Sequence, residues 1–127
     1  MIRYIAPFAS LMALALAAAP VAAQDAEAGQ RAFNQCRACH TINEGARSGV
    51  GPNLHGVIGR KAASLEGFRY SKAMQDKGAE GLVWNEESLN PYLRSPREVV
   101  PGTTMSFPGL KDEKRLQDLL AYLKQQS

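Results

Sequence analysis

Apolar side chains recur at Leu116, Leu119, Leu120 and Leu123, the i, i+3, i+4, i+7 spacing of a single helix face. The spacing predicts an amphipathic helix over about residues 111–125, with Asp112 and Glu113 in its first turn and Lys124 near its last. A second helix is expected over Asp25 to Cys36, where Ala26, Glu27, Ala28, Arg31, Ala32 and Phe33 favour it. Gly29 inside that run costs about 1 kcal/mol relative to alanine, which close approach of another helix would explain. The long stretch between the two, Thr41 to Leu110, is punctuated throughout by glycine and proline. Short helices fit at about Ser71–Lys77 and Glu86–Leu93, the second distorted by Pro91. No run alternates well enough to argue a strand, so the fold class is all-α. A loop region this long is reasonable in a compact domain if it wraps a large apolar ligand that serves as core.

Residues 1–23 follow a different pattern. Arg3 supplies one positive charge, an apolar stretch runs from Leu11 to Ala19, Pro20 breaks it, and Val21-Ala22-Ala23 offers small residues for cleavage. A spanning helix needs about 20 apolar residues, and the stretch from Leu11 to Ala19 falls well short of that. Residues 1–23 are therefore expected to be a cleaved signal peptide and residues 24–127 a single domain delivered to the periplasm. A retained anchor is the alternative.

Composition narrows the class. A chain of 127 residues is too short for separate cofactor and substrate lobes. Two cysteines cannot build a four-thiolate cluster or a dense disulfide framework. Net charge is +3, falling to +2 once Arg3 leaves with the leader, and the basic residues are scattered singly. No run of them tracks a phosphate backbone, which argues against nucleic acid.

Both cysteines fall in Cys36-Arg37-Ala38-Cys39-His40, the C-x-x-C-H spacing of c-type haem attachment. Two thiols one helical turn apart can each add to a haem vinyl group, and the next residue then carries its imidazole to the iron. A thioredoxin-like pair would need a βαβ context that is missing from the pattern. A zinc site would need at least two more ligands, and only His55 remains among cysteines and histidines.

Further blocks follow in order: Gly51-Pro52-Asn53-Leu54-His55-Gly56, Gly59-Arg60-Lys61, Gly67-Phe68-Arg69-Tyr70, Trp84, Tyr92-Leu93, and Pro101-Gly102-Thr103-Thr104-Met105-Ser106-Phe107. With them, residues 25–125 resemble the class I c-type cytochromes, of the short bacterial kind similar to mitochondrial cytochrome c. The resemblance implies crossing N- and C-terminal helices, with Gly29 and Phe33 facing Leu119 and Tyr122, and loops wrapped around one haem c held through Cys36 and Cys39. It implies His40 as one axial ligand, steadied by a hydrogen bond to the Pro52 carbonyl.

After the leader, only Met74 and Met105 survive as methionines. The Pro-Gly setting and the resemblance together point to Met105 as the second axial ligand, with Met74 as packing and His55 as a structural hydrogen-bonding residue. Arg60, Tyr70, Trp84 and Thr103 match positions that bind or enclose the haem propionates, and Tyr92 and Phe107 match residues flanking the methionine.

The resemblance implies a one-electron carrier rather than an enzyme. Its partners would be redox proteins met transiently, either membrane electron-transfer complexes or periplasmic dehydrogenases, and the chain would be a monomer. Gln35, Glu98 and Thr104 stand where lysine is common in the family, so the cationic ring around the haem edge is thinned. The alternatives are a gas-binding or peroxidase-like haem protein, which needs an open iron position, and a subunit of a larger oxidoreductase.

Overall fold

The computed structural model describes residues 1–2, 12–16 and 24–127. The expected cleavage segment, Val21 to Ala23, and residues 11 and 17–19 of the apolar stretch before it lie outside the described residues. Met12, Leu14 and Leu16 within it are exposed. Among the described residues no helix is long and apolar enough to cross a membrane.

Among the described residues five helices follow one another: α1 Ala26–Phe33, α2 Lys72–Ala79, α3 Glu86–Arg94, α4 Pro96–Val99 and α5 Glu113–Gln125. Each of the four longer ones starts at a side-chain cap. The Asp25 carboxylate accepts from the Glu27 and Ala28 amides, Ser71 from Met74, Asn85 from Ser88 and Asp112 from Arg115. These caps satisfy amides that have no partner within their helix. They also explain two shifted boundaries: Ser71 and Asp112 lie outside the helices they cap, so α2 begins at Lys72 and α5 at Glu113. α3 contains Pro91 and continues past it to Arg94, closing with the Ser95 amide on the Pro91 carbonyl. The short helix α4, absent from the hydrophobic pattern, opens on Pro96, a residue suited to a first turn because its missing N–H has no partner there.

α1 and α5 pack against each other and organise the core. Phe33, Leu116, Leu119 and Leu120 are fully buried, and the Phe33 and Tyr122 rings meet at 5.4 Å. The approach is close enough that a Cβ on Gly29 would stand 1.9 Å from the Asp118 carbonyl oxygen. Asp118, itself buried, accepts from the Asp25 amide at 2.8 Å and from the Lys114 ammonium. The two ends of the domain are therefore joined by packing and by a charged hydrogen bond.

The segment between α1 and α5 is loop-rich, as the pattern implies. Among the described residues the only strand-like pairing is one antiparallel bridge between Lys61 and Val83. Around it the Ala62 amide donates to Leu82 and the Trp84 amide to Arg60, so the α2 hairpin is closed by backbone bonds at its base. Gly56 donates to the Gln126 carbonyl, tying the loop after the motif to the end of α5.

Candidate haem-attachment site

α1 ends at Phe33, just before the first cysteine, because the chain tightens there into successive turns. The Cys36 amide donates to Phe33, and both the Cys39 and His40 amides donate to Cys36. The motif is thus a single coiled turn set on the α1–α5 base. Arg37 fixes it from outside, with its guanidinium 5.0 Å over the Phe33 ring and a hydrogen bond to the Tyr122 hydroxyl. Cys36 and Cys39 are not bridged to each other, and both are half-buried. Burial pushes the Cys36 thiol up to about 11.

His40 is held from two sides. Its Nδ1 hydrogen-bonds the Pro52 carbonyl at 2.7 Å, which leaves Nε2 as the ring nitrogen free to donate a lone pair. Burial lowers its pKa below the ordinary histidine value, against the Pro52 bond, which raises it. The neutral ring is the form a metal needs. Gly51 presses on the ring: a Cβ there would lie 2.4 Å from Cε1 and 2.8 Å from Nε2. Its amide donates to the Cys39 carbonyl, so the Gly51-Pro52 turn is bonded to the motif it supports.

Met105 lies in the loop between α4 and α5. From Thr103 to Phe107 alternate residues are half-buried and exposed, with Thr103, Met105 and Phe107 inward and Thr104 and Ser106 outward. The Thr103 hydroxyl accepts from the Met105 amide at 3.2 Å, and the Tyr92 hydroxyl donates to Met105 Sδ at 3.8 Å. Burial pushes the Tyr92 phenol up to about 12, opposed by a hydrogen bond with Thr103. Tyr92 in turn packs on Trp84, with ring centroids 4.6 Å apart. The structure therefore brings Tyr92, Thr103 and Met105 into one group and backs it with Trp84.

The other sequence-selected residues are spread around these two poles. Arg60 donates to the Asn53 and His55 carbonyls, bracing the turn after Pro52. The Tyr70 hydroxyl accepts from the Leu65 amide at 3.2 Å. His55 Nδ1 bonds the Ile42 carbonyl at 3.2 Å, a structural role. Met74 is half-buried in α2 and packs against the core. Ser48, outside every motif block, and Asn53, within the 51–56 block but given no role by the sequence, link the loop after His40 to the Pro52 turn.

Among the described residues no group of three or more His, Cys, Asp or Glu side chains could hold a bare metal ion. A paired-thiol turn, a neutral half-buried imidazole and a thioether suit a metal that arrives inside a macrocycle. Leu54, Ile58, Leu93, Met105 and Phe107 are apolar yet only half-buried, which suits contact with a large apolar group.

Residues 26–127 match the family model described as Cytochrome c. The chain belongs to the cytochrome c family. It is 47% identical over 115 residues to cytochrome c2 of Blastochloris viridis, covering 91% of this chain and 88% of that protein. It is 49% identical over 96 residues to cytochrome c-550 of Ancylobacter novellus, covering 76% and 90%. Among solved structures it is similar to cytochrome cH from Methylobacterium extorquens, at a TM-score of 0.72 and 43% identity over 80% of this chain and 98% of that one. The expected all-helical cytochrome c fold, with its terminal helices in contact, is borne out. So are the covalent haem c on Cys36 and Cys39 and the role of electron carrier rather than enzyme.

Proposed function

We propose that this cytochrome is a diffusible periplasmic carrier whose haem iron is ligated by His40 and Met105. The observation that carries the ligand assignment is the hydrogen bond of Tyr92 to Met105 Sδ, in a loop whose alternation turns that sulfur inward. A bound haem c supplies a one-electron ferric–ferrous couple. The chain's own residues then have separable tasks. Cys36 and Cys39 fix the group covalently, and Pro52 and Gly51 hold the His40 ring in one orientation. Tyr92 orients the Met105 sulfur, and the surrounding apolar side chains keep water away. A ligand pair of imidazole and thioether would raise the potential relative to two imidazoles. His40 and Met105 would both hold the iron of a bound haem c, so the chain's own residues would need to move little on gain of an electron.

Arg60, Tyr70, Trp84 and Thr103 are the residues proposed to meet the haem propionates. Arg60 carries five N–H donors, so bracing two carbonyls does not exhaust it. The partners are redox proteins met transiently, membrane electron-transfer complexes or periplasmic dehydrogenases, and the working form is a monomer of residues 24–127 after removal of the leader. The modest net charge of that segment suits brief encounters rather than strong electrostatic steering.

The deciding experiment compares Met105→Ala with Met74→Ala in the haem-loaded protein. The first should abolish the near-infrared sulfur-to-iron band of the ferric form and open the ferrous iron to carbon monoxide; the second should leave the band in place. Rapid carbon monoxide binding by the unmodified ferrous protein would overturn the assignment and favour a gas-binding role.

A further inference from the structure

The peptide unit joining Pro52 to Asn53 is engaged at both of its polar ends. Its carbonyl accepts from His40 Nδ1 at 2.7 Å, and its N–H donates to the Ser48 hydroxyl at 2.9 Å. A peptide unit is planar, so a rotation that carries the oxygen away from His40 also carries the N–H away from Ser48.

The rest of Asn53 holds that plane in place. The residue is 6% exposed. Its Nδ2 donates to Thr41 Oγ1 at 2.8 Å and to the Asn43 carbonyl at 3.0 Å, while its Oδ1 accepts from the His55 amide at 2.8 Å. Thr41 directs its own hydroxyl proton to the Arg47 carbonyl at 2.8 Å. The segment leading out of His40 is thereby bonded back onto the turn that supports His40.

We propose that Ser48 is a positioning residue for His40, acting through the Pro52–Asn53 peptide to set the ferric–ferrous balance. Donation from the peptide N–H to Ser48 leaves more negative charge on the Pro52 oxygen, because hydrogen bonds in a chain polarise one another. A stronger acceptor on Nδ1 makes Nε2 a better donor to the metal, which favours the ferric state. The inference rests on His40 being an axial ligand.

The test uses the haem-loaded protein with Ser48→Ala, Ser48→Thr and Thr41→Val. Thr41→Val loosens the same loop but leaves Ser48 and the 52–53 peptide intact. Ser48→Ala should shift the redox equilibrium two- to fivefold toward the ferrous form, about 20–40 mV at 59 mV per tenfold. The His40 ring N–H resonance of the ferrous protein should move upfield and exchange faster with solvent. Ser48→Thr, which keeps the hydroxyl, should restore both, and Thr41→Val should lower denaturant stability with neither change. The proposal is overturned if Ser48→Ala lowers stability but leaves potential and resonance in place, or if Thr41→Val moves them equally. A wild-type ring resonance lacking the shift of a haem-bound imidazole would instead overturn the axial assignment itself.

Discussion

Gly29 on α1 backs directly onto Asp118 on α5: a Cβ on Gly29 would stand 1.9 Å from the Asp118 carbonyl oxygen and 2.8 Å from Tyr122 Cβ. The obstructing atoms are mostly backbone, so no rotamer change can make room. Gly29→Ala should force the two helices apart and cost about 3 kcal/mol, the upper part of the usual overpacking range. The gain in helix propensity, about 1 kcal/mol, is too small to offset it. Urea unfolding of the haem-loaded variant measures the difference, and a stability equal to wild type would refute the close crossing.

The same crossing carries an acid-sensitive contact. The Lys114 ammonium, hydrogen-bonded to Asp118, holds its carboxyl below the ordinary value of 3.8, with the Asp25 amide helping and burial opposing. A carboxyl held low in the folded chain contributes stability that is fully present above pH 3.8 and is lost as pH falls through the folded value. Asp118→Asn should therefore be less stable at neutral pH and lose less stability between pH 5 and pH 2 than wild type. Unfolding midpoints across that range read the slope directly; parallel slopes would show that Asp118 does not titrate with unfolding.

Gly51→Ala tests the support of His40. The added methyl would meet the ring at 2.4 Å from Cε1, so ring and Pro52 carbonyl cannot both stay where they are. A loss of about 1–3 kcal/mol is expected, with a change in the visible absorbance of the haem and faster exchange of the His40 ring proton. A variant with wild-type spectrum and stability would contradict the packing of Gly51 on the ring.

Ala63 is the one non-glycine residue with a left-handed backbone among the described residues, at φ +58°. That conformation costs an L-residue about 1–2 kcal/mol, part of which glycine returns as unfolded-chain entropy. Ala63→Gly should leave a net stabilisation of about 0.5 kcal/mol, and Ala63→Val should destabilise. Thermal melts of the pair settle the sign.

What was readable from the chain divides along physical lines. The leucine spacing in α5 and the Cys36–His40 motif announce themselves because each repeats or clusters within a few residues. Gly29 was readable as a contact point, since a costly glycine in a helix asks for a reason. The role of Ser48 and Asn53 was not, because their bonds run to backbone atoms and to residues in another loop, leaving no trace in periodicity. Tyr92 was expected to flank Met105, but its hydrogen bond to the sulfur depends on how α3 meets the 103–107 loop. Arg60 shows the same limit: resemblance directs it to a propionate, while the folded chain also uses it to brace the Asn53 and His55 carbonyls.

The inward–outward alternation from Thr103 to Phe107 sets different tolerances for spelling and for length. Thr104 and Ser106 face solvent, so many residues can replace them without reaching the interior. Inserting or deleting one residue in that stretch reverses the parity of everything on one side of the change. Such an edit between Thr103 and Met105 would present the sulfur to solvent unless its neighbours gave way. The loop can thus drift in composition, and with it the character of the outer surface, while its residue count stays locked.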